Sequence, residues 1–135
     1  MAEGADDLIA AAGGRTDGSL RSALANAMVG MKKRYYGRGP EGARAYVEDD
    51  YIFVVLEGGL TRNEETLLEA GKEALVRSYR LAFQETVTDI AVGAVEELVG
   101  RRVIGYHSQI VFNPTKTFEI FALAPRQMAD DVFEN

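Results

Sequence analysis

The chain has 135 residues, 47% hydrophobic and 27% charged, with a net charge of −6 and no cysteine. This is the size of one domain, long enough to bury about 68% of the surface its unfolded chain exposes. The lack of cysteine excludes disulfides, thiolate zinc sites and cysteine nucleophiles, and the acidic balance argues against nucleic acid, whose phosphates need a basic face.

The opening MAEGADDLIAAAGG is acidic and lacks the basic start and apolar run of a secretory signal. The longest apolar stretch, IFVVL at 52–56, is far below the ~20 residues that span a bilayer, so no membrane span and a cytoplasmic location are expected. Residues 1–18 read as a flexible tail, 19–125 as a single α+β domain and 126–135 as a polar tail. Ser19 suits the N-cap of a first helix. Leu20, Leu24, Ala27, Met28, Met31 and Tyr35 then recur at helical spacing. Lys32, Lys33 and Arg34 occupy its last turns, where cations suit the helix dipole, and Gly37 stops it.

Arg38 to Gly42 is a loop. In the next segment Ala43, Ala45 and Val47 alternate with Arg44, Tyr46 and Glu48, and Asp49-Asp50 turns the chain into Tyr51–Leu56. That second strand is apolar throughout, the pattern of a central strand covered on both faces. Thr61-Arg62-Asn63-Glu64 has the form of a capping box. Helical periodicity follows to Val99, through Leu68, Leu75, Tyr79, Phe83, Ala94 and Leu98. A straight helix over 62–99 would be roughly 57 Å long, against a diameter near 37 Å for a compact domain of this size. The weak helix formers and second capping pattern at Thr86-Val87-Thr88-Asp89 place the break near 85–88. Arg102–Phe112 and Thr117–Leu123 form a second hairpin about Asn113-Pro114. The order α-β-β-α-α-β-β implies an α+β fold, two β-hairpins forming an antiparallel sheet with helices packed on one face. Phe53, Val55, Leu75, Tyr79, Phe83, Leu98, Phe118 and Ile120 are the expected core.

Several blocks together carry a family resemblance: Asn26-Ala27-Met28, Gly37-Arg38-Gly39-Pro40, Val54 to Thr61 with Glu64, Ala70-Gly71, Ala82-Phe83-Gln84-Glu85, Glu96-Glu97-Leu98 and Gly100-Arg101 before Val103. Over about residues 19–125 the chain resembles the MpsC-like family, a domain of unknown function named for a Na+-translocating, membrane-potential-generating system. The resemblance implies a soluble accessory to such a membrane transport system. It carries over no catalytic residues.

Chemistry-bearing motifs are few. Gly37 to Gly42 matches G-x-G-x-x-G literally, but a helix precedes it and a strand follows, the reverse of the dinucleotide-binding context. The same glycine amides, with Arg38, Gly39 and Arg44, form the candidate anion site. Lys32, Lys33, Arg34, Arg38 and Arg44 make a basic cluster that could meet anionic lipid or simply be a solvated helix end. His107, the one histidine, lacks companions for a metal site, and neighbouring Ser108 points to the opposite face of a strand. Arg77 and Arg80 lie on one side of a helix, within reach of Glu73 and Gln84. No cofactor motif and no catalytic set is present. The expected function is a non-enzymatic, soluble accessory or regulatory interaction module. The alternative is a small-molecule or anion-binding protein using the Gly/Arg loop at 37–44. A homodimer is expected through the 62–99 helices or a shared sheet edge.

Overall fold

A computed structural model describes residues 17–126. The expected tails at 1–16 and 127–135 lie outside the described residues; Asp17 and Gly18 are helical. Helix α1 (Asp17–Tyr36) leads into strands β1 (Gly42–Glu48) and β2 (Tyr51–Glu57). Helices α2 (Arg62–Glu69) and α3 (Glu73–Val99) follow, then β3 (Val103–Val111) and β4 (Lys116–Leu123). The chain therefore has the α+β order its patterning implies. The four strands form one antiparallel sheet in the order β1-β2-β4-β3, so the second hairpin inserts its last strand at the centre.

Ser19 lies inside the first turn of α1 rather than ahead of it. Leu24, Met28 and Met31 are buried against β1 and β2, and Gly37, at φ 84, ends the helix with its amide on the Lys33 carbonyl. The capping box forms as the sequence implies: the Glu64 amide donates to Thr61 Oγ1, and the Thr61 amide donates to Glu64 Oε1 at 2.9 Å.

The helical break is not at 85–88. It falls at Ala70–Lys72, where Gly71 takes φ 77, a left-handed conformation that glycine adopts without steric penalty. Thr86 and Thr88 stay in the helix because their hydroxyls donate to the carbonyls of Ala82 and Gln84 one turn back. The remaining 27 residues of α3 measure about 40 Å, so the helix runs the full width of the domain.

The phase of β2 and β4 is also opposite to expectation. Ile52, Val54, Leu56, Phe121 and Leu123 form the core with Ala45, Val95 and Val99. Of the expected core residues, Phe53, Phe118, Leu75 and Tyr79 are exposed, while Val55, Phe83, Leu98 and Ile120 are half-buried. The hairpin register explains this. Ala45 pairs with Val54 and Tyr46 with Phe53, so the alanine face of β1 commits Val54, not Phe53, to the interior. Among the described residues, all three helices leave the other sheet face bare, and β2 is covered on one side only.

Candidate functional site

Two buried ion pairs lie beneath the end of α1. Lys32 continues the stripe of Leu24 and Met28 at four-residue spacing, so it points at the sheet rather than at solvent and is 5% exposed. It meets Glu119, in mid-β4, at 3.0 Å. Glu119 shares a face with Thr117 and Phe121 and is 0% exposed. The Tyr106 hydroxyl donates to one of its oxygens and Ser108 Oγ to the other, at 2.8 Å for Ser108. Burial and the adjacent Glu119 carboxylate together push the Tyr106 hydroxyl far above its ordinary pKa.

The second pair joins α2 to α3. Arg80 donates from Nε and Nη2 to the two oxygens of Glu64, at 2.6 and 2.5 Å, and from Nη2 to the Gly59 carbonyl at 3.0 Å. Glu64 thus caps α2 and anchors α3 with one carboxylate. Burial alone would raise its pKa; the Arg80 hydrogen bonds, then those of Thr61, outweigh burial and hold it below its usual value. Tyr36, one turn beyond Lys32, lies between the pairs: the Arg80 guanidinium is 4.3 Å and the Lys32 ammonium 5.0 Å from its ring centroid. Its other side stacks on Phe83 at 4.5 Å. Burial pushes its hydroxyl up to about 12, with Arg80 opposing.

A cavity of about 210 Å³ opens onto this cluster, bordered by Lys32, Tyr36, Arg77, Arg80, Gln84 and Ser108. Arg77 is tethered there by Nη1 to the Ile110 carbonyl and by Nη2 to Glu73, both at 2.7 Å. Pairing of Arg77 with Glu73 is as its spacing implied; Arg80 turns instead to Glu64.

The Gly/Arg loop sits elsewhere. Arg38 is exposed and faces Glu41 at 3.5 Å and Glu65 at 3.9 Å. Gly39 is packed close to Lys33, leaving 3.4 Å between that side chain and any added Cβ. Arg44 projects from the bare sheet face, opposite Val55, beside Tyr46, Phe118 and Lys116. His107 is exposed on that same face and Ser108 is buried on the other. Among the described residues no group of three or more His, Cys, Asp or Glu could hold a metal ion.

The bare face is ordered in rows. Tyr46, Phe53, Ile120 and His107 form one, Arg44, Val55, Phe118 and Gln109 the next, and Glu48, Tyr51, Ala122 and Gly105 the third. Its aromatic side chains are open: Tyr46 is 45% exposed, Tyr51 50%, Phe53 39% and Phe118 37%.

The model of the family described as Na+-translocating membrane potential-generating system (MpsC) matches residues 16–125. The chain belongs to the MpsC family. Comparison with curated proteins and with solved structures gives no match. Within this MpsC-family fold, the sequence blocks that carry the resemblance coincide with structural devices. The Gly58–Glu64 block supplies the carbonyl and carboxylate that hold Arg80. Arg101 ties the β1–β2 turn to the end of β4, donating to Asp50 Oδ1 and to the Ala124 carbonyl at 2.6 and 2.7 Å. Among the described residues, no helix is long and apolar enough to cross a membrane.

Glu119 and Tyr36 carry no motif signal, Glu64 is legible only as a helix cap, and Lys32 only as one of a basic cluster. Lys32 is hidden in an apparent basic helix end, although its place on the Leu24–Met28 stripe is a signal of burial. Glu119 is hidden because β4 is apolar on both faces, so alternation does not say which side is covered.

Proposed function

We propose that this MpsC-family chain is a non-enzymatic, soluble accessory protein that works as a homodimer closed across the bare face of its sheet. One observation carries the reading: β2 is apolar on both faces, the pattern of a strand covered twice, and the described residues cover it once. Four strands spaced ~4.8 Å apart, each ~7 residues at ~3.4 Å, present a face of roughly 450 Å² in projection. An exposed patch on that scale is about as large as the largest on an ordinary monomer, and such patches are often interaction sites. Its open tyrosines and phenylalanines are the residue types that anchor interfaces.

Charge favours a second copy as the occupant. Although the molecule carries −6, the charges on and around this face are balanced, Arg44 and Lys116 against Glu48 and Glu57. A two-fold axis must place each patch on itself, and the flanking of Tyr46 by Arg44 and Glu48 lets one copy's cation meet the other's carboxylate. The outer flank of α3 is the competing surface, with Leu75, Tyr79 and Ile90 exposed. It also exposes Glu85, Asp89 and Glu97, and two copies meeting there would oppose like charges. In the cell this dimer would be a cytoplasmic partner of the membrane system after which the family is named. Sedimentation of the wild-type chain at micromolar concentration should give a dimer, and Phe53→Arg, which puts a second pair of cations into the seam, should give a folded monomer. A wild-type monomer of 14.8 kDa at that concentration would overturn the proposal.

A further inference from the structure

The cavity beneath α1 has a composition the dimer does not explain. Its charged lining consists of Lys32, Arg77 and Arg80, with no carboxylate. The acids that neutralise these cations, Glu119, Glu73 and Glu64, lie outside the lining. The donors on the cavity side are in surplus. Lys32 meets one carboxylate oxygen and has three N–H groups. Arg80 uses Nε and Nη2, and its Nη1 has no hydrogen-bond partner among the described residues. The Tyr36 hydroxyl and the Gln84 side-chain amide likewise have none there, while both border the cavity. The rest of the lining is Leu81 and Ile110 together with His107, Ser108, Gln109 and Thr117.

We propose that this cavity binds a small organic monocarboxylate with an apolar body, its carboxylate held by Arg80 Nη1, Lys32, Tyr36 and Gln84. Three donor groups without a partner and the remaining N–H groups of Lys32, around one space with no acid among its described walls, select an acceptor-rich ligand. The guanidinium fork and the flat carboxylate match in geometry. With three cations offset by three carboxylates the cluster carries no net charge, so a monoanion held by hydrogen bonds is favoured over a phosphate dianion. At about 210 Å³ the cavity is smaller than the ~300–1,000 Å³ pockets that take drug-sized ligands, so the body is a single small ring or branched chain. The site lies on the covered side of the sheet, and its occupancy does not depend on dimer formation.

The test is a thermal-shift and NMR titration of the full chain with benzoate, benzamide and inorganic phosphate, each at millimolar concentration. Benzoate should raise the melting temperature by preferential binding to the folded chain. Benzamide, the same shape without charge, and phosphate should leave it unchanged. Arg80→Ala would break the pair with Glu64, so the informative variants are Tyr36→Phe, which keeps the ring stacked on Phe83, and Gln84→Leu. Each should retain the unliganded melting temperature and bind benzoate about tenfold more weakly, as expected for one lost hydrogen bond to a charged group. Equal responses to benzoate and benzamide, or no response to either, would overturn the proposal. So would a phosphate response abolished by Tyr36→Phe, which would assign the cavity to a phosphate ligand, or wild-type affinity in both variants.

Discussion

Glu119 occupies the middle of the covered sheet face with 0% of its surface exposed, and Lys32, Tyr106 and Ser108 all reach its two oxygens. An unpaired carboxylate there would be untenable, because desolvating an ion costs several kcal/mol even in a relaxed protein. Both oxygens of the carboxylate are instead hydrogen-bonded and a cation lies beside it, which is the condition under which a buried charge is tolerated. Arg80 and Glu64 repeat the arrangement one layer away, and here the pKa direction makes a test. The folded Glu64 carboxyl titrates below its unfolded value of about 4.5, so its contribution is fully present above that pH and is lost as pH falls through the lowered folded value. Glu64→Gln should cost about 3 kcal/mol at pH 7, because Arg80 stays buried without its counter-charge. Below pH 4.5 the variant should lose stability less steeply than wild type. Denaturant melts from pH 7 to 3 measure both, and parallel acid limbs would show that Glu64 does not carry this linkage.

Elements were legible in the sequence to different depths. The capping box at Thr61–Glu64, the glycine stop at Gly37 and the alternation of β1 all appear in the fold as their chemistry implies, since each is a local signal. The break in the long helix was misplaced because Thr86 and Thr88 carry weak helix propensity, and propensity does not register that their hydroxyls return to the preceding turn. Gly71 was the better signal. With φ 77 and open space where a Cβ would go, Gly71→Ala meets no clash and should cost only the left-handed strain, about 1–2 kcal/mol. A chemical-denaturation loss below 0.5 kcal/mol, ~a third of that, would mean the α2–α3 corner relaxes into another conformation. The phase of β2 was hidden by its apolar residues on both faces. A two-residue turn at Asp49-Asp50 nevertheless sets Glu48 opposite Tyr51 and hence Ala45 opposite Val54. The legible alternation of β1 could have been carried across that register to place Val54 inside and Phe53 outside.

At the scale of the molecule, the same two-sided β2 that obscures the core becomes the argument for assembly. The covered face of β2 closes on α1, and Glu119 and Thr117 of β4 carry that side of the sheet to the Lys32 pair and the cavity; the bare face of the sheet presents Tyr46, Tyr51, Phe53 and Phe118. The sequence expectation of a homodimer named the 62–99 helices or a sheet edge as the interface, and the proposal here moves it to the sheet face. The candidate site was less legible than the fold. Arg38, Gly39 and Arg44 are adjacent in the chain, but Arg38 turns to Glu41 and Glu65 while Arg44 sits in the row with Val55 and Phe118. The cavity instead gathers residues from α1, α3, β3 and β4, separations no local motif spans. Because the chain has no cysteine, a single introduced thiol reports one surface without background. Two variants serve: Ala122→Cys on the bare face, a small change that spares the aromatic residues, and Ile90→Cys on the outer flank of α3. Treated with a short bis-maleimide at micromolar concentration, Ala122→Cys should run at twice 14.8 kDa and Ile90→Cys should remain single. Crosslinking of Ile90→Cys with Ala122→Cys left single would place the dimer on the helix, and no crosslinking of either would contradict the dimer itself.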